Sequence, residues 1–283
     1  MRERERTLDT PEPKARVNAG AAALLEQELQ RHYVNRRVVE RPATARALFV
    51  AAHADDVEIG CGGTVLKLID AQGKLQQAVL TDGRLAAAAP DQEDEMARVR
   101  AEEARSVASH LMLPPPELFG VNEREFQAPE RLDAMVARFA ALLDSFRPDA
   151  LFVPWFFDQH SDHRYVNRVV ARALARGPRD LAAITVHAYE VWSFVPPGLV
   201  VDVSAVFAEK RRLVSLHRSQ LKLMRYLELV DELGKPRAAL AGAGATAAEF
   251  FCPMRGDAYV ARTEAIDFES PESRATGVLL TPP

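Results

Sequence analysis

The chain reads as an α/β protein: a Rossmann-like, mostly parallel sheet with helices on both faces, folded as a single domain. Three observations carry that expectation. Short apolar runs alternate with helical patterns from residue 47 to residue 176. Two of the runs, "LFVAA" and "LFVP", are apolar without strict alternation, as parallel strands buried on both faces must be. Finally, 283 residues with 48% hydrophobic and 27% charged content supply enough material for a large core.

The elements follow in order. Residues 1 to about 13 are charged and proline-bearing and read as disordered. From Lys14 to Arg37 apolar residues recur at helical spacing, a helix expected to pack outside the sheet or against a partner chain, which leaves a homo-oligomer open. Together these make an N-terminal extension, 1–41. "ALFVAAH" is the first strand, followed by a helix over 61–72, and "QQAVLTDG" is the second. The helix over 93–112 places acidic residues in its first turn, where they complement the dipole, and the prolines at 114–116 stop it. "PELFG", a helix over 130–146, "ALFVPW" and a helix over 163–176 continue the alternation. "ITVHAYEVW" and "GLVVDVSA" read as two more strands joined through the turn signal "SFVPPG". "SAVFAEKRRLVSLHRSQLKLMRYLELV" reads as one long helix capped by Ser204, and the Ala/Gly-rich residues 233–248 as a mobile loop. The main domain is bounded at 42–267, with 268–283 as a tail.

Composition removes several function classes. A formal charge of −4 and a pI near 6.0 argue against a nucleic-acid binder that works by neutralising phosphates. Two cysteines, Cys61 and Cys252, are too few for a disulfide framework or a thiolate metal cluster, and they are expected to stay unpaired. The N-terminus lacks the apolar stretch of a signal peptide, and no run is long enough to span a bilayer. A cytoplasmic protein is the default expectation.

Ligands of an open parallel sheet collect beyond the C-terminal ends of its strands. His53, Asp55 and Asp56 follow the first strand, Thr81 to Arg84 the second, and His160, Asp162 and His163 the run "ALFVP". Two imidazoles and one carboxylate leave a coordination position open for water, as in catalytic zinc sites, although the same set suits Fe(II). Of two adjacent aspartates only one is needed as a ligand, so the other is free to act as general base. Each motif also has a bland reading. HxxD behind a strand is commonly a helix N-cap, "HSDH" is equally a polar loop with Asp162 capping a helix, and "GCGG" lacks the full dinucleotide fingerprint. What favours a site is that both histidine motifs fall at strand ends of one sheet.

The combination resembles the PIG-L/LmbE-like family of zinc-dependent N-deacetylases. "AHADDVEIGCGGT" is similar to the family's (P/A)HPDDxxxGxGGT, "HSDH" to its HxDH, "RVRAEEARSVASHLML" to its RxxE helix, and "VDVSAVFAEKRRLVSLHRSQ" to its later K…SQ helix. The resemblance spans about residues 46 to 265. It implies zinc, or Fe2+ or another divalent metal, held by His53, Asp56 and His163. It implies Asp55 as general base, and His160 beside the scissile carbonyl as oxyanion stabiliser. Arg100 would hydrogen-bond the sugar, and the glycines at 60, 62 and 63 would allow a tight turn and close approach to a strand. Ala54 stands where the family has proline, and Asn122 where relatives place a sugar-binding aspartate. Arg84 is a further candidate contact for an anionic substrate group. The function implied is removal of the N-acetyl group from an N-acetylated amino sugar or its glycoside. An amidase for a larger amide such as a thiol conjugate, and a non-catalytic Rossmann-like binding module, are the alternatives. His32, His110, His187, Tyr189, Trp192, His217 and Gln220 read as structural, and Cys61 as a small packing residue.

Overall fold

The computed structural model describes residues 36–177 and 179–266. The expected disordered start, most of the helix beginning at Lys14 and the tail from 268 lie outside the described residues. Within them runs an eight-stranded sheet. Its strands are β1 (Arg37–Val39), β2 (Arg46–Ala51), β3 (Lys74–Thr81), β4 (Glu117–Val121), β5 (Ala150–Pro154), β6 (Thr185–Tyr189), β7 (Leu199–Asp202) and β8 (Ala248–Arg255). The order across the sheet is β1-β7-β8-β6-β5-β2-β3-β4. All pairings are parallel except those of β8, which is antiparallel to both β6 and β7. The mostly parallel α/β sheet expected from the sequence is the one found.

Helices α1 (Asp56–Asp70), α2 (Glu93–His110), α3 (Pro129–Phe146), α4 (Ser161–Ala175), α5 (Phe207–Ser215), α6 (Arg218–Leu221), α7 (Tyr226–Arg237) and α8 (Gly256–Glu264) cover the faces. On β2, Leu48 and Val50 join one core, with Phe139 of α3, Val166 and Val169 of α4 and Tyr259 of α8. Ala47, Phe49 and Ala51 join the other, with Val57 and Val65 of α1, Leu213 of α5 and Val230 of α7. Burial on both faces explains the unbroken apolar composition of this strand. From β2 the chain steps outward to β3 and β4, then returns to place β5 on the other side of β2. That reversal opens the crevice in which α/β sheets bind ligands, between the C-terminal ends of β2 and β5.

Several elements differ from the sequence reading. Arg37, read as the end of a helix, begins β1, which pairs with Leu199–Val201, so the sheet starts before residue 42. The helix after β2 starts at Asp56 rather than 61, and the three glycines lie inside it, not in a turn; the only interruption is at Cys61, with φ −141°. Close approach is what the glycines permit. A Cβ on Gly60 would fall 2.4 Å from the Tyr189 ring, and one on Gly63 would fall 2.6 Å from Val203. β6 and β7 are not neighbours, because β8 inserts between them. "AEFFCPMR" is a strand that the sequence reading does not contain; a proline is unusual in a central strand, but Pro253 lies past the last pairing with β7 and faces β6 alone.

The single long helix is three helices. His217 and Arg225 leave the helical region with ψ of 62° and 56°. The break is bought with side-chain bonds: His217 Nε2 lies 3.1 Å from Glu58, and Ser219 gives its N–H and hydroxyl to Glu103 at 2.7 and 2.6 Å. Ser204 does not cap that helix, since its hydroxyl donates to Asp202 and accepts the N–H groups of Thr246 and Ala247. Residues 233–237 of the expected loop belong to α7, and a short 3-10 turn, Ala238–Leu240, follows. Both cysteines are free and buried.

Candidate active site

A cleft of about 640 Å³ opens at the ends of β2 and β5, and His53, Asp55, Asp56, Arg100, Glu123 and His160 are among the side chains that line it. The sequence builds it by ending a buried strand in polar residues and starting a helix at once. Asp55 occupies the N-cap position of α1 but makes no capping bond there. Asp56 turns back instead, and its Oδ2 accepts the N–H of His53 at 2.8 Å.

Three donor atoms converge. Asp56 Oδ1 lies 3.2 Å from His163 Nε2 and 3.7 Å from His53 Nδ1, and the two imidazole nitrogens are 3.4 Å apart. Ligands about 2.1 Å from a shared tetrahedral ion are separated by about 3.4 Å, so the three atoms are spaced closely enough to share one divalent ion. The nitrogens facing away are met by carboxylates. His53 Nε2 lies 3.2 Å from Glu123 and 3.4 Å from Asp162, and His163 Nδ1 lies 3.2 Å from Asp158. Carboxylates so placed favour a proton on the outward nitrogen of each ring, through a hydrogen bond at His53 and through proximity alone at His163, whose Nδ1 has no hydrogen bond of good geometry among the described residues. His160 could join the same ion, since its ligand nitrogen lies within 4.8 Å of those of His53 and His163.

The electrostatics are those of a site that wants positive charge. Burial pushes the His163 imidazole down, but Asp56 and Asp158 outweigh it and raise it to about 9. Burial likewise opposes protonation of His53, and Asp56, Asp162 and Glu123 raise it well above its ordinary value. Asp56, despite its burial, is held well below the carboxylate range by the same two rings. His160 goes the other way. Burial, then the neighbouring His163 and His53, push it down to about 4.

Asp55 has two unlike oxygens. Arg100 Nη2 donates to Oδ1 at 2.7 Å, while Oδ2 is buried and has no hydrogen-bond partner among the described residues. Arg100 in turn packs against Gly83, whose φ is +66° and whose absent side chain leaves room for the guanidinium; a Cβ there would lie 2.8 Å from it. His160 is the N-cap of α4, and its Nδ1 accepts the N–H of Asp162 at 3.2 Å. The cap is therefore His160, and not Asp162 as the bland reading had it. Accepting at Nδ1 puts the ring proton of the neutral form on Nε2.

Two expected substrate contacts lie elsewhere. Asn122 caps the turn that follows β4, accepting the N–H of Arg124 at 3.0 Å, and it is not among the residues lining the cleft. Its neighbour Glu123 takes the place in the cleft, because the turn directs successive side chains to opposite sides. Arg84 is tied to Asp82 at 2.8 Å and Asp94 at 3.0 Å, and Leu85 faces the cleft instead. Asp158, Glu123, Trp192 and Tyr226 were not singled out as site residues. An aspartate two positions before "HSDH" was the available signal for Asp158. Trp192, read as sheet packing, lines the cleft together with Tyr226.

Comparison with known proteins finds a family model, curated relatives and solved structures similar to this chain. Residues 48–174 match the family model described as PIG-L, GlcNAc-PI de-N-acetylase. The chain is 24% identical over 192 residues to a probable N-acetyl-alpha-D-glucosaminyl L-malate deacetylase 2 of Bacillus cereus, covering 62% of this chain and 84% of that protein. It is 28% identical over 207 residues to the diacetylchitobiose deacetylase of Thermococcus kodakarensis, covering 68% and 74%. Among solved structures, N,N'-diacetylchitobiose deacetylase from Pyrococcus horikoshii superposes with a TM-score of 0.64 at 20% identity, covering 83% of this chain and 90% of that one. GalB, the 4-carboxy-2-hydroxymuconate hydratase of Pseudomonas putida, superposes with 0.61 at 18% identity, covering 74% and 95%. At such identities the superpositions speak for the fold alone.

Proposed function

Residues 48–174 of this chain are a PIG-L family domain, and from that premise we propose that the protein is a metal-dependent N-deacetylase. Its substrate is an N-acetylated amino sugar or a glycoside of one, as the names of both curated relatives suggest. The observation that carries the reading is Asp55, a carboxylate anchored through one oxygen and unpartnered at the other, next in sequence to a metal-sized triangle of donors.

His53, Asp56 and His163 would hold the ion, and two imidazoles with a carboxylate suit zinc, as they do Fe(II). When bound, such an ion polarises the acetamide oxygen and lowers the pKa of a water. The protein's own groups do the rest. Asp55 Oδ2 takes the proton of the attacking water while Arg100 keeps the carboxylate in place. His160, protonated on Nε2, donates a hydrogen bond to the oxyanion that develops, an interaction worth most in the transition state. The proton then passes from Asp55 to the departing amine. Glu123, Asp162 and Asp158 orient the two metal-binding imidazoles. Both cysteines are free and buried, which supports a reducing, cytoplasmic setting. No helix among the described residues is long and apolar enough to cross a membrane.

The test is amine release from N-acetylglucosamine and its glycosides, run beside metal analysis. Expected are about one divalent ion per chain, amine release that a chelator abolishes, and recovery on adding zinc. A chain that binds no divalent metal, or that releases amine from none of these sugars, overturns the proposal.

A further inference from the structure

Resting on the deacetylase reading, we propose that the mouth of the cleft is a subsite for an apolar substituent, alkyl or aryl, carried by the amino sugar. The cleft is zoned. Its floor is polar and buried, formed by Asp55, Asp56 and the histidines, while its mouth carries Leu85 and Met224, which are 44% and 43% exposed. Trp192 and Tyr226 continue the apolar lining, their rings 6.1 Å apart and tilted by 55°. Large apolar side chains gathered at the entrance of a buried polar site mark a surface that a ligand covers.

A second sugar ring would need several partners for its hydroxyls, and some of the polar groups near the mouth are engaged with one another. Gln127 donates to Ser161 and Asp162 at 2.8 and 2.7 Å, and Arg124 is paired with Glu93. The N–H of Leu85 is given to Glu123 at 3.0 Å. What remains for an occupant of the mouth is mostly apolar and aromatic, Leu85, Trp192, Met224 and the Tyr226 ring, with the Trp192 indole N–H and the Tyr226 hydroxyl as the polar atoms among them.

The experiment compares kcat/KM of the zinc-loaded enzyme on N-acetylglucosamine, N,N'-diacetylchitobiose, and short alkyl and phenyl N-acetylglucosaminides, all monomeric in solution. Expected is a rise of about fourfold for each methylene group that becomes buried, levelling off where the chain leaves the cleft. Trp192→Ala and Met224→Ala should each move the ratio of butyl glycoside to free sugar toward one. A wild-type ratio near one, or a preference for the disaccharide over the butyl glycoside, overturns the subsite. If no sugar releases amine, the deacetylase reading fails by itself, and binding decides the subsite. Trp155 is only 1% exposed, so a blue shift of tryptophan emission on adding butyl N-acetylglucosaminide, and not on adding the free sugar, reports Trp192 becoming covered. No shift with the butyl compound overturns the subsite on that route as well.

Discussion

Two clusters of buried charge lie along α1, and they are built on opposite principles. At the far end of the glycine segment, Glu249 of β8 accepts the N–H groups of Gly63 and Thr64, both at 2.8 Å, the Thr64 hydroxyl at 2.6 Å and Lys210 Nζ at 2.6 Å. Every lone pair has a donor, and the cluster does one thing: it staples α1 and α5 to the antiparallel strand. At the start of α1 the opposite holds. Asp55 Oδ2 and Arg100 Nε are buried without a hydrogen-bond partner among the described residues, and Asp56 Oδ1, His53 Nδ1 and His163 Nε2 crowd within 3.2 to 3.7 Å of one another. The two clusters thus differ in how completely their own side chains satisfy one another, and the one left incomplete is the one that opens on the cleft.

Substitutions should therefore damage activity at one cluster and stability at the other. The largest effect is expected for Asp55→Ala, with turnover down by about 10²–10⁴-fold while bound metal stays near one per chain; Asp56→Ala should lose both. Metal content and kcat measured on the two variants check this, and equal metal loss in both would break the division of roles. At the other cluster, Lys210→Met leaves the Glu249 charge buried without its cation, held only by the Gly63 and Thr64 donors, and should cost about 3–5 kcal/mol in urea unfolding. The double variant Lys210→Met/Glu249→Gln should recover part of that cost. If the single variant unfolds like the wild type, the stapling role is wrong.

Between the clusters, Gly60→Ala would drive a Cβ into the Tyr189 ring and the Glu190 carbonyl, with an expected loss of about 1–3 kcal/mol by the same measurement. The smallest effect concerns a buried imidazole that belongs to neither cluster. Burial, with a contribution from Arg37, pushes His187 down to about 3. The unfolded chain therefore takes up a proton below about pH 6.5 that the native state refuses, and stability falls as pH drops from there toward 3, by at most about 1.4 kcal/mol per pH unit. His187→Phe should keep the stacking on Phe152, now seen at 4.8 Å, and remove that slope. An unchanged difference between pH 7 and pH 5 in the two proteins would contradict it.

Much of this was legible in the chain itself. Strand ends followed by histidine and aspartate pointed to His53, Asp55, Asp56, His160 and His163; four of them line one cleft with Arg100, and His163 is buried behind it, 3.2 Å from Asp56. What escaped was whatever depended on the direction of a side chain in a loop. Asn122 and Glu123 are adjacent, as are Arg84 and Leu85, and sequence patterns without a period could not say which of each pair enters the cleft. The long helix divides for a related reason, because its first break, at His217, is held by His217 on Glu58 and Ser219 on Glu103, residues more than 100 positions away.

The sequence by itself determined the layers, the strand ends and the residue types that meet there, because period and composition act over a few residues at a time. Only the tertiary structure decided the insertion of β8, the anchoring of Asp55 by Arg100 and the apolar mouth around Trp192 and Met224. Each of those depends on groups far apart in the chain meeting in space, and no local pattern encodes such a meeting.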